Sequence, residues 1–138
     1  MSRRVITAGD QTFTPRKETY SVILAREEQA AKEGDLRDVV NGYATRITHA
    51  NQRMVDLADG DGAFDTEALA AIQAELHDLR AQHHAASTEL FMFRLGLLAQ
   101  RLDPTPDVQL LLDHWDDQDY EAAMEILDAR PTSQTPTG

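Results

Sequence analysis

Residues 66–102 contain no proline and a single glycine, Gly96. Unbroken, the run makes a helix about 55 Å long at about 1.5 Å per residue. In its first half Leu69, Ile72, Leu76 and Leu79 recur at alternating steps of three and four, the spacing of a narrow helix-packing seam. His83 and Ala86 carry the register through weaker residues, and Leu90, Phe93 and Leu97 resume it. In the second half Phe91, Met92, Leu95, Leu98 and Leu102 spread apolar side chains to every side of the helix. A helix that is apolar all round has to be covered, by the rest of its own chain or by a partner.

The remainder of the chain is read around that helix. Val5, Ile6 and Thr7 on one side of residues 8–11, and Thr12, Phe13 and Thr14 on the other, are strand formers. Gly9 between them offers a positive φ, so residues 3–14 are expected to form a short β-hairpin. Two strands alone are marginal, so this hairpin must lean on a helix or pair with another chain. Thr14-Pro15 has the form of a helix N-cap followed by proline at the first helical position. A helix over about 16–33 is expected behind it, with Tyr20, Ile23, Leu24 and Ala31 as its buried stripe. Gly34 is read as its stop and Asp35 as the cap of the next helix, about 36–58.

That second helix has the cleaner register. Leu36, Val40, Tyr43, Ile47, Ala50, Met54 and Leu57 follow steps of four and three without a gap, with Val39 widening the stripe. Gly42 within it weakens the helix relative to alanine, consistent with a close crossing. A short connection to the long helix at 66–102 makes the two an antiparallel helical hairpin. Asp103-Pro104 ends the long helix and Thr105-Pro106 repeats the cap-plus-proline device. Two short amphipathic helices then follow, about 106–115 on Val108, Leu111, Leu112 and Trp115, and about 118–129 on Tyr120, Ala123, Met124 and Leu127. The expected fold is mainly α: a hairpin, then a bundle of about five helices in one domain over 1–130, with a disordered tail at 131–138.

The totals limit what such a chain does. A net charge of −11 repels a phosphate backbone, which argues against nucleic acid as the partner. The excess is concentrated late: residues 103–130 carry nine Asp/Glu against one Arg. That segment is read as a solvated face or as a docking surface for a basic partner. There is no cysteine, so disulfides, thiolate metal sites and thiol catalysis are excluded together. The most apolar window, 90–102, is interrupted by Arg94, Gln100 and Arg101 and is far short of a bilayer span. No signal peptide is recognisable. A soluble, cytoplasmic protein with no membrane contact is expected.

No residue set forms a catalytic or cofactor site. Asp59, Asp61 and Asp65 around Gly62 resemble part of a calcium loop, at its third, fifth and ninth positions. Leu57 and Ala68 stand where the first and the closing carboxylates belong. A turn with an aspartate cap is the better reading, and no metal is expected. His77 and His84 share a helix face, His83 lies on the seam, and His49 and His114 stand alone; none has the spacing of a helical metal site. No carboxylate pair, serine motif or glycine-rich phosphate loop is present. The protein is expected not to be an enzyme and to have no cofactor.

The layout resembles the tail assembly chaperones of long-tailed, siphovirus-like bacteriophages. The resemblance lies in the opening Arg4-Val-Ile-Thr-Ala-Gly-Asp-Gln-Thr-Phe-Thr-Pro, the helical segment behind it at 18–33, and the acidic, aromatic Leu112-Asp-His-Trp-Asp-Asp. It implies a non-catalytic protein that coats the helical tape measure protein, keeps it soluble and recruits tail tube subunits. It also implies that a longer form arises by frameshifting near the end of the short product. The chain's own candidates for partner binding are Leu90, Phe91, Met92, Phe93, Leu95, Leu98, Leu102 and Trp115, facing a protein helix or, in a homo-oligomer, another copy. Two other classes fit the same features: a structural connector or scaffold that stays in an assembly, and a small helical regulator that sequesters a protein.

Overall fold

The computed structural model describes residues 5–60 and 65–129. Gly9 takes a φ of +59°, the one positive φ among the described residues. With Asp10 it makes the two-residue turn between β1 (Ile6–Ala8) and β2 (Gln11–Pro15). A positive φ at the first central position alone is the type II′ pattern, whose twist suits an antiparallel hairpin. The register is Ile6↔Phe13, Thr7↔Thr12 and Ala8↔Gln11. The hairpin is thus where the sequence puts it, although positions 3 and 4 lie outside the described residues.

What holds the hairpin was not legible. A third strand, β3 (Leu102–Asp103), pairs antiparallel with β2, matching Thr14 to Asp103 and Pro15 to Leu102. The sheet order is β1-β2-β3. The backbone N–H of Arg16 donates to the carbonyl of Arg101 at 2.8 Å just beyond the pairing. This corrects the reading of Thr14-Pro15 as a helix start. Both residues are held in the strand, an end position where proline's missing donor is tolerated. The helix instead begins at Tyr20, with the Thr19 hydroxyl accepting from the N–H of Val22 at 3.4 Å. The Asp103–Pro104 peptide bond is cis.

From Tyr20 the chain runs as one helix, α1 (Tyr20–Ala58), of 39 residues. The expected break at Gly34-Asp35 is absent. Gly34 does not adopt the left-handed conformation that would end a helix, and the Glu33–Arg37 pair, 3.8 Å apart, spans the site. Glycine costs about 1 kcal/mol in a helix interior, which cooperative turns on either side absorb. The second long helix, α2 (Thr66–Gln100), starts with the Asp65 carboxylate accepting from the N–H of Ala68 at 3.0 Å. Next come α3 (Val108–His114) and α4 (Asp117–Ala129). Asp107, not Thr105, caps α3, accepting from the N–H of Gln109 at 2.9 Å. Asp116 and Asp119 cap α4 reciprocally, each carboxylate taking the other's N–H at 3.0 Å. The described residues therefore form four helices, not five, beside a small antiparallel sheet. Residues 131–138, read as a disordered tail, lie outside the description.

The span expected as one domain contains two compact units, Met1–Arg26 with Met92–Gly138 and, separately, Glu27–Phe91. The first has a closed core. Ile6, Ala8 and Phe13 of the hairpin, Leu95, Leu98 and Ala99 of α2, Leu102 of β3, Leu111 of α3, and Ala123 and Leu127 of α4 are buried together. The second is the helical hairpin. Ala50, Leu76 and Leu79 are buried at its centre, with Tyr43, Ile47, Met54 and Ile72 packed around them, and Arg53 pairs with Glu75 across the helices. The seam residues Leu36, Val40, Tyr43, Ile47, Ala50, Met54 and Leu57 of α1 are half-buried or buried, whereas Val39, expected to widen that stripe, stays half exposed on the side of the helix turned from α2.

Candidate partner-binding surface

The eight residues singled out as a binding surface divide by burial. Leu95, Leu98 and Leu102 are core residues of the first unit, Leu98 at 1% exposure. The end of α2 is apolar all round because the small sheet, α3 and α4 wrap it. Leu90 is buried and Phe93 half-buried. Phe91 and Met92 stay exposed, at 48% and 37%.

Trp115 is half-buried and makes a specific contact. Its indole Nε1 donates to the carbonyl of Thr7 at 2.7 Å. The reason lies in the hairpin register. Ala8↔Gln11 closes the turn as a hydrogen-bonded pair, so Thr7↔Thr12 is a non-hydrogen-bonded pair whose backbone groups point outward. Trp115 satisfies one of them on the free edge of β1, where an open strand invites foreign pairing. A cavity of about 100 Å³ remains beside it, between β1 and α4, bordered by Val5, Asp119, Ala122 and Ile126 among others. His114 closes the other end of the hairpin: a Cβ on Gly9 would stand 3.0 Å from its Nε2.

The larger exposed apolar surface is on α1, where sequence reading expected burial. Of its 39 residues only Ala50 is buried. In the first unit Tyr20 is 87% and Leu24 63% exposed, with Ile23 beside them. In the second unit Val39 and Val55 are about half exposed. The stripe Tyr20, Ile23, Leu24 and Ala31 therefore does not face a core, and the cause is helical phase. Because α1 runs through Gly34, the seam fixed by Leu36 to Leu57 extends backwards in the same steps. It lands on Glu33, Gln29, Arg26 and Val22, all half-buried. Tyr20, Ile23 and Leu24 are left on another side. A break at Gly34 would have let the first helix turn its apolar face inward.

The polar candidates fall into structural roles. Asp65 caps α2, Asp59 follows α1 at its end, and Asp61 lies outside the described residues. No group of three or more His, Asp or Glu is placed to hold a metal ion among the described residues. His77, His84, His49 and His114 are exposed and His83 is half-buried in the seam. The acidic C-terminal segment exposes Asp113, Asp116, Asp117 and Asp119. The Asp116 carboxyl is held below its ordinary value, chiefly by the backbone N–H of Asp119 that it accepts. No described helix is long and apolar enough to cross a membrane. No protein-family model, curated protein or solved structure matches the chain.

Proposed function

We propose that the chain is a non-catalytic assembly protein that holds a helical protein partner. In the manner of the phage tail assembly chaperones it resembles, it would keep a long tape measure protein soluble and help bring tail tube subunits to it. One observation carries the reading: a 39-residue helix buries a single residue. Tyr20, Ile23 and Leu24 stand at i, i+3 and i+4, the spacing by which a helix presents anchors to another helix. Covering three such side chains is worth roughly 4–6 kcal/mol before ordering costs, enough to make a partner's contribution decisive. The C-terminal acidic segment adds a surface suited to a partner with basic residues.

The test is co-expression with a candidate partner of that class, a long helical tape measure protein. The partner's soluble fraction should rise several-fold with the wild-type chain and fall back with Leu24→Asp, while the chain's own helical circular dichroism stays unchanged. A partner that is equally soluble without the chain overturns the reading, and so does a partner rescued equally well by Leu24→Asp.

A further inference from the structure

On the outward side of the second unit, α1 carries an open hollow of about 390 Å³ lined by Asp38, Val39, Gly42, Tyr43 and Arg46. Gly42 is its floor. A Cβ added there would meet nothing within 4 Å. Glycine weakens a helix interior, and here nothing in the chain itself uses the missing side chain. Val39 stands half exposed at the rim.

The polar side chains around this notch are arranged symmetrically about it. Asp38 lies four residues before Gly42 and Arg46 four residues after; Asp35 lies seven before and His49 seven after. All four are exposed, and steps of four and seven keep them on one helical stripe with Gly42. The guanidinium of Arg46 sits 5.5 Å from the centre of the Tyr43 ring, which holds its charge on this face. The wider distribution has the same polarity. Residues 27–38 carry five acidic and two basic side chains, whereas residues 39–58 carry two arginines and one aspartate.

We propose that this face of α1 is a two-fold interface through which two copies of the chain pair antiparallel, crossing at Gly42. A two-fold axis through Gly42 sets Asp38 of each copy against Arg46 of the other and Asp35 against His49, so each pair is made twice. The missing side chains let the helices approach, and the two Val39 side chains fill the hollows. Parallel pairing would superpose like charges, so the charge order selects the antiparallel arrangement. This goes beyond the assembly reading and stands independently of it, because it concerns the purified chain alone.

The experiment is sedimentation equilibrium of the full chain with circular dichroism alongside. The wild type should show a monomer–dimer equilibrium. Asp38→Arg and Arg46→Asp should each raise the dissociation constant about tenfold, and their combination should restore it to within about threefold. Gly42→Leu should keep full helicity and run as a monomer, since its side chain meets nothing within one chain. Four results would overturn the proposal. One is a wild type that stays monomeric up to roughly 1 mM. The others are single charge reversals without effect, a double variant no better than the singles, and a Gly42→Leu chain that still dimerises.

Discussion

Replacing Gly34 by alanine should stabilise the protein, and the sign of the effect is decided by whether α1 is continuous. In the structure Gly34 is an interior helical residue without a positive φ, and a Cβ added there meets nothing within 4 Å. No contact is lost, so the change yields the full helix-propensity difference, about 0.8–1.0 kcal/mol. If Gly34 instead ended one helix in a left-handed conformation, alanine would cost about 1–2 kcal/mol there. Urea unfolding followed at 222 nm separates the two. With a slope of about 2 kcal/mol per molar, continuity predicts a midpoint rise of about 0.5 M. Gly34→Pro should act in the opposite direction, costing about 3 kcal/mol, because it removes an interior hydrogen bond and clashes with the preceding turn. A midpoint that falls with alanine, or a proline variant as stable as the wild type, would refute the continuous helix and the helical phase that exposes Tyr20, Ile23 and Leu24.

Phe91→Asp and Leu95→Asp should part company. Phe91 is half exposed and its variant should keep wild-type helicity. Leu95 is buried, so a carboxylate there leaves a cavity and an unpaired charge costing at least about 4 kcal/mol, read as lost near-UV circular dichroism and a collapsed melting temperature. Trp115→Phe keeps the ring packing but removes the donor to Thr7, and a loss of about 1 kcal/mol is expected from thermal unfolding. Asp116 has a folded pKa below its unfolded value, so its stabilising effect is complete above the unfolded pKa and disappears as pH falls through the folded one. Asp116→Asn should therefore flatten the acid limb of a melting-temperature profile as pH falls below the ordinary aspartate range, with little change in slope above it.

The parts of the fold governed by local pattern were legible. Strand formers on either side of Gly9 specified the hairpin. The steps of three and four in Leu36 to Leu57 and in Leu69 to Leu79 specified the helix pair and the side each helix buries. Features set by distant partners were not. β3 is two residues whose pairing with Thr14 and Pro15 depends on strands almost ninety positions away, and no local signal marks it. The same pairing takes Thr14-Pro15 out of the helix start it resembles. The cap-plus-proline pattern points to Thr105, but Asp107, one residue beyond the proline, takes the capping role.

The candidate site was half legible for the same reason. All-round apolarity at 90–102 correctly signals that something covers the helix, but whether the cover is the same chain depends on where the sheet, α3 and α4 pack. The exposed side of α1 was misread through one residue. Gly34 reads as a punctuation mark in the sequence, and with a break there each helix is free to bury its own stripe. Continuity ties both halves to one phase, and the half with the weaker claim on the seam leaves its apolar residues outside.

That exposed stripe is the centre of the functional account, and hydrogen exchange on the chain with and without the proposed helical partner tests it most directly. In the free chain the amides of residues 20–25 should exchange fast, because few buried contacts oppose local opening. In the complex they should slow by at least about tenfold, while amides around Leu98 and Leu111, already in a closed core, stay as they were. Slowing confined to other segments, with residues 20–25 exchanging as in the free chain, would contradict it.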